Sequence, residues 1–260
     1  MRSLLWRGAF AACLLFATQA GAAEVRVLAS AALASSLAVL KPMYEKASGN
    51  KVDLVLGTSG ALAKRVADGE TADLIISTGA GIDALIKDGK VVPGSRVDIA
   101  RSGIGVAVKA GAPKPDISTP QALKAALLAA KSVAYTDPKS GGASGIHFVK
   151  VLADLGIADA VNAKAKFGQG GLTGEFIVKG EADLAVQQLP ELKSVPGIDI
   201  VGPLPDALQS ITLLSSGVLA GAKVPDTARA LVGFLRSPEA VAVIKDKGLE
   251  PGGSPTKGAI

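Results

Sequence analysis

Short apolar runs alternate along this chain with longer stretches in which apolar residues return every three or four positions. The runs are VRVLA (25–29), KVDLVL (51–56), DLIIS (73–77), IGVAV (104–108) and SVAYT (132–136). Helical spacing fills about 33–47, 61–68 and 82–87, and it resumes after Gly145. The runs are apolar at consecutive positions, as in strands buried on both faces of a parallel sheet. Strand and helix signals in strict alternation predict an α/β fold.

One internal echo bears on organisation. GETADLIIS (69–77) returns as GEADLAVQ (180–187), each with a Gly closing a helix, a short acidic turn and an Asp-Leu strand start. This is either a chance likeness between two ordinary helix-to-strand joints or the mark of two similarly built lobes. KAGAPKPDISTP (109–120) and VPGIDIVGPLPDAL (195–208) are Pro-rich stretches suited to crossings between lobes.

The first residues belong to a different pattern. Arg2 and Arg7 flank a basic start, GAFAACLLFA is an apolar core too short to cross a bilayer, and Ala20-Gly21-Ala22 supplies small residues for cleavage. Residues 1–22 therefore read as a secretory signal peptide, which places the rest in the periplasm. Cys13 and Trp6, the only residues of their kinds, would leave with it. The remainder must be stable without disulfides. No later run is long enough to span a membrane, so no membrane insertion is expected after cleavage. Without Arg2 and Arg7, 26 basic residues face 23 acidic ones, a net charge of +3. Spread charge and few aromatic residues argue against nucleic-acid binding. A monomer is expected.

Candidate chemistry gathers in small-residue turns after strands. Ser30-Ala31 follows the first run and Ser59-Gly60 the second. Ser140-Gly141-Gly142-Ala143-Ser144 follows the fifth, and GQGGLTGEF (168–176) comes later. Ligands of parallel α/β folds bind beyond the carboxyl ends of strands, where helix starts present unpaired N–H groups and partial positive charge. Glycine admits close approach and serine adds a donor. Such turns suit a small anion. Each serine alone would also serve as a plain N-cap, but their occurrence in both halves favours a ligand.

Neither SGGASG nor GQGGLTG has the spacing of a nucleotide loop. No cofactor and no metal are expected, because His147 is the only histidine and no second soft ligand follows the signal peptide. Gln187 and Gln188 end the repeated strand and are placed to reach a cleft. Arg101, Lys139 and Glu175 lie near proposed strand ends or glycine turns.

At these turns the sequence resembles the periplasmic molybdate-binding protein family, type II solute-binding proteins of ABC transporters. The likeness rests on VLASAALASSL, TSGALAKRVADGETADLIIS, TDPKSGGASG and FLRSPEAVAVIKDKGLEP. It implies two α/β lobes, each a mainly parallel sheet flanked by helices, closing on a ligand cleft. Lobe one would hold 24–101 plus 207–260, and lobe two 102–206. Ligand contacts would fall on Ser30, Ala31, Ser59, Gly60, the turn from Ser140 to Ser144, Gln187 and Arg101. The protein would capture a small anion, a molybdate-like oxyanion or a small carboxylate, for an ABC permease. The family's oxyanion-binding Tyr has no counterpart in VQQLPEL, which turns attention towards a carboxylate. The alternative on the same fold is an aconitate isomerase type, a cofactor-independent proton shift along a tricarboxylate. His147, Glu175 or Lys139 would then be the base.

Overall fold

Two sheets form, and each is covered on both faces. The computed structural model describes residues 22–253, so the expected signal peptide lies outside the described residues except for Ala22. The first sheet has the order β11 (Glu250–Pro251), β4 (Val97–Ser102), β10 (Thr212–Val218), β3 (Leu74–Thr78), β1 (Glu24–Ser30), β2 (Lys51–Gly57). The second has the order β7 (Ala165–Gly168), β6 (Val133–Thr136), β8 (Leu184–Gln188), β5 (Ile104–Lys109), β9 (Ile198–Pro203). In chain order the helices are α1 (Ala34–Ser48), α2 (Ser59–Ala67), α3 (Gly79–Lys87), α4 (Pro120–Ala129) and α5 (Ala143–Asp154). They continue with α6 (Ala158–Asn162), α7 (Gly174–Val178), α8 (Leu189–Lys193), α9 (Pro225–Leu235) and α10 (Pro238–Asp246).

The continuous apolar runs have the meaning their pattern implied. Along β1, Val25, Val27 and Ala29 enter one core with residues of α1, α9 and α10, while Leu28 enters another with residues of α2 and α3. Along β6, Val133 and Tyr135 face the α4 and α5 side and Ala134 faces Ile177 of α7. Successive strand residues point to opposite faces, so a sheet sandwiched between helices must be apolar at every position.

Both sheets are mixed rather than mainly parallel as expected, although in each four strands share one direction. β2, β1, β3 and β4 run one way, and β10 lies antiparallel between β3 and β4. In the second sheet β7, β6, β8 and β9 share a direction, with β5 antiparallel to β8 and β9. The reversed strands have a common cause. β5 follows β4 through Gly103 and β10 follows β9, so each enters its sheet from the other lobe and at the opposite end. The short β11 is also reversed. Gln209, in the second crossing, accepts a 2.9 Å hydrogen bond from the Ile104 amide and donates one of 2.9 Å to the Ile104 carbonyl. That side chain ties the two crossings together.

The echoed segments share a mechanical role. Asp73 accepts the Arg26 amide at 2.8 Å at the β1–β3 seam, and also the amides of Lys223 and Val224. Asp183 accepts the amides of Lys131 and Ser132 at the β6–β8 seam. Each carboxylate satisfies backbone donors where a parallel pair begins, and Gly69 and Gly180, both at positive φ, end the preceding helices.

Candidate functional site: an anion cleft between the lobes

The carboxyl ends of β1, β2, β6 and β8 meet at one cavity. Its wall carries Ser30, Ala31 and Ala32 after β1, then Gly57, Thr58 and Ser59 at the join of β2 and α2. From the other lobe come Thr136, Gly142, Ala143, Ser144, Gly170, Gln187, Gln188 and Glu191. Thr212 and Leu214 of β10 complete it. The empty space is about 390 Å³, including a mouth open to solvent. The part of it that a water can enter is small, near 30 Å³, room for about two waters.

The backbone chemistry of this wall suits an anion. Ser30 precedes a 3-10 turn (Ala31–Leu33) without spending its side chain on a cap. In α2 the capping role falls to Thr58, whose Oγ1 accepts the Ala61 amide at 3.2 Å, and Ser59 stands in the first turn. The α5 helix starts at Gly142 with no side-chain cap, and Ser144 is buried with its Oγ 3.4 Å from Thr136 Oγ1. Helix starts from both lobes thus aim N–H groups and hydroxyls into one space. Glycine is required where α5 meets β6, because a Cβ on Gly145 would run into the Thr136 carbonyl.

Of the residues singled out from sequence, Ser30, Ala31, Ser59, Gly142, Ala143, Ser144 and Gln187 stand on the wall. Gly60 and Gly141 stand against each other instead. The Gly60 amide donates to the Gly141 carbonyl at 3.0 Å, and Thr58 Oγ1 donates to the Ser140 carbonyl beside it. A Cβ on Gly60 would lie 2.6 Å from Gly141 Cα. These glycines bring the lobes into contact, which commits them away from a ligand. Ser140 turns its hydroxyl back to the Asp137 carbonyl at 2.7 Å. Gln187 accepts the Thr173 amide and hydroxyl at 2.7 and 2.9 Å and donates to the Gly171 carbonyl at 3.1 Å, so its work is to hold the 169–173 loop.

Arg101, Lys139, His147 and Glu175 are off the wall. Arg101 sits in β4 opposite Leu213 and Glu250. Lys139 is exposed. Glu175 pairs with Lys179 one turn on, at 3.5 Å. His147 Nε2 is 2.8 Å from the Leu208 carbonyl, joining α5 to the second crossing.

The residue that sequence reasoning missed is Glu191. It is the one ionisable side chain on the wall among the described residues, and it is buried. It occupies the third position of α8, which packs against the 3-10 turn after β1 and against α1 of the other lobe. Burial pushes its carboxyl up to about 7, against weaker opposing pulls from the Gln188 backbone amide and the Gln187 side chain. A signal was present: Gln188 and Glu191 have capping-box spacing, with the third helical residue reaching back to the amide before the helix. Its burial had no signal, because the burying residues come from elsewhere in the chain. Among the described residues no cluster of His, Cys, Asp and Glu is arranged for a metal, and no helix is long and apolar enough to cross a membrane.

The comparisons agree with this geometry. An aconitate isomerase from Pseudomonas sp. is 40% identical over 253 residues, spanning 94% of this chain and 95% of that protein. The molybdate-binding protein ModA of Azotobacter vinelandii is 28% identical over 243 residues, spanning 90% and 92%. Among solved structures, the Azotobacter vinelandii periplasmic molybdate-binding protein superposes with a TM-score of 0.72 at 21% identity, over 86% of this chain and 98% of that one. The profile of the bacterial extracellular solute-binding protein family matches residues 25–250, from β1 to the start of β11 and through both walls of the cleft. With two mixed sheets joined by crossing strands around that cleft, the chain is a member of the bacterial extracellular solute-binding protein family, built on its two-lobed type II fold.

Proposed function

We propose that the cleft takes a small polycarboxylate and shifts a proton along it, an isomerisation of the aconitate type. The observation that carries this reading is Glu191, a buried carboxyl poised near neutrality on a wall otherwise made of uncharged groups. A pure anion receptor needs only donors and has no use for a carboxyl that titrates near neutrality. A proton shift needs a group that takes a proton and gives it back, and that is most effective with a pKa near working pH. The 40% identity to an aconitate isomerase supports the same reading.

The step balances on the substrate alone. Hydroxyls of Ser30, Ser59 and Ser144 and the helix-start amides hold its carboxylates. The Glu191 carboxylate removes a proton from the methylene next to the double bond, leaving a carbanion delocalised over three carbons. The proton returns at the far carbon, the double bond moves one place, and Glu191 is again a carboxylate. No cofactor is consumed.

Under this reading the protein works in the periplasm as a monomer, after loss of residues 1–22. Its lobes are 24–101 plus 207–260, and 102–206. A second reading, an anion receptor for an ABC permease, is favoured by the narrowness of the cavity, which suits a small oxyanion better than a tricarboxylate. A tricarboxylate would occupy interior and mouth together, with the lobes slightly further apart.

Incubating purified protein with trans-aconitate and following cis-aconitate by chromatography separates the two. Turnover is expected, and Glu191→Gln is expected to lower it about 10²- to 10⁴-fold while binding survives. Tight binding of molybdate or a carboxylate without turnover of any tricarboxylate leaves the receptor reading standing and removes the isomerase.

A further inference from the structure

Gln188 ends β8 beside Gln187, yet its surroundings differ. It is 4% exposed and on the cavity wall, and its Nε2 donates at 2.9 Å to Thr212 Oγ1 of β10, in the other lobe. Its Oε1 is buried without a hydrogen-bond partner. A buried unpaired acceptor is destabilising, and one facing an anion gains nothing from the ligand. The remedy is local. The two ends of an amide have the same shape, and a threonine hydroxyl both donates and accepts. With the amide turned over, the Thr212 hydroxyl donates to Oε1 and Nε2 presents its N–H to the cavity. Every polar atom then has a role once an anion is present.

We infer that Gln188 is a ligand-binding residue whose side-chain N–H donates to an anionic oxygen, while Thr212 of the opposite lobe anchors its carbonyl. Ligand contact and lobe contact therefore pass through one side chain. The anion orders the amide, and the ordered amide favours the closed arrangement in which Thr212 reaches it. Gln187 is committed elsewhere: its oxygen accepts from Thr173, and its amide nitrogen serves the Gly171 carbonyl and the Glu191 carboxyl. The inference rests on the cleft being the anion site, and it does not depend on turnover.

The test is calorimetric titration of trans-aconitate and, separately, molybdate into the full protein and into Gln188→Met, Thr212→Val and the double variant. Thermal melting accompanies each titration to confirm folding. Gln188→Met is expected to weaken the bound anion at least tenfold. Thr212→Val is expected to weaken it less, and the double variant no more than Gln188→Met alone, because the two act through one contact. Unchanged affinity in a folded Gln188→Met, or losses that simply multiply in the double variant, overturns the inference. So does a wild-type protein that binds neither anion. Binding that depends on Gln188 without turnover removes the isomerase reading and leaves this one intact. Turnover with unaltered affinity in Gln188→Met does the reverse.

Discussion

At the scale of single residues, Glu191 links the chemistry of the cleft to the stability of the fold. Its carboxyl is raised from the usual 4.5 to about 7, so between those values the folded protein holds a proton that the unfolded chain releases. That contribution is fully present below about 4.5 and is lost as pH rises through about 7. The difference corresponds to about 3 kcal/mol. Denaturant unfolding at pH 5 and pH 8 should therefore show wild type losing stability at the higher pH. Glu191→Gln, which cannot ionise, should lose much less. Ser59 and Ser144 make a complementary pair. Neither caps its helix, so Ser59→Ala should leave the melting temperature nearly unchanged, and Ser144→Ala should cost only the hydrogen bond to Thr136, about 1 kcal/mol. Each replacement should nevertheless weaken anion binding by about 1.5–3 kcal/mol, the usual worth of a hydrogen bond to a charged group. Affinity equal to wild type in both would reduce these serines to bystanders.

At the scale of elements, closure depends on the start of α2 meeting the turn before α5. Both sides carry glycine at the contact, with Gly141 at a φ of 74°. Gly60→Ala separates the two consequences of changing such a site. Alanine in α2 is favoured over glycine by about 1 kcal/mol, so the lobe itself should not be weakened. The added methyl would lie 2.6 Å from Gly141 Cα, so the lobes could not close as they do here. The expected result is an unchanged or higher melting temperature with weaker binding of whichever anion the wild type takes. Wild-type affinity in this variant would show that the Gly60–Gly141 contact is dispensable for capture.

At the scale of the whole molecule, each sheet with its helices is a core of its own, and Gly103, Gln209 and the second crossing provide the hinge. Two such bodies with a ligand between them should be more open when empty. Small-angle scattering should report a smaller radius of gyration on saturation with a bound anion, and Gly60→Ala should blunt that change. An identical radius with and without ligand would count against a clamp. Because α8 packs on α1 only when the lobes are together, opening should also rehydrate Glu191 and return its carboxyl towards the ordinary range.

How much of this was legible beforehand depended on whether the determining forces were local. The strands at 25–29, 51–56 and 104–108, the helix between the first two, and the sandwiching of each sheet follow from apolar runs and helical periodicity, since side-chain direction along an element is set by backbone geometry. β4 and β10 lack that continuous apolar signature, with Asp98 and Arg101 in one and Thr212, Ser215 and Ser216 in the other. They become strands through their neighbours. That turns from both halves carry unpaired amides was legible too, because such amides are a property of any helix start. The sequence alone therefore determined an α/β chain with serine-bearing turns at helix starts in both halves. Only the tertiary structure decided which residues face the cavity. It set Gly60 against Gly141, spent Gln187 on a loop and left Gln188 facing the cavity. It also withdrew His147, Lys139 and Glu175 from the wall and buried Glu191 there. Contact, burial and the resulting shift in acidity are set by residues remote in the chain, and they come into existence only when the two lobes meet.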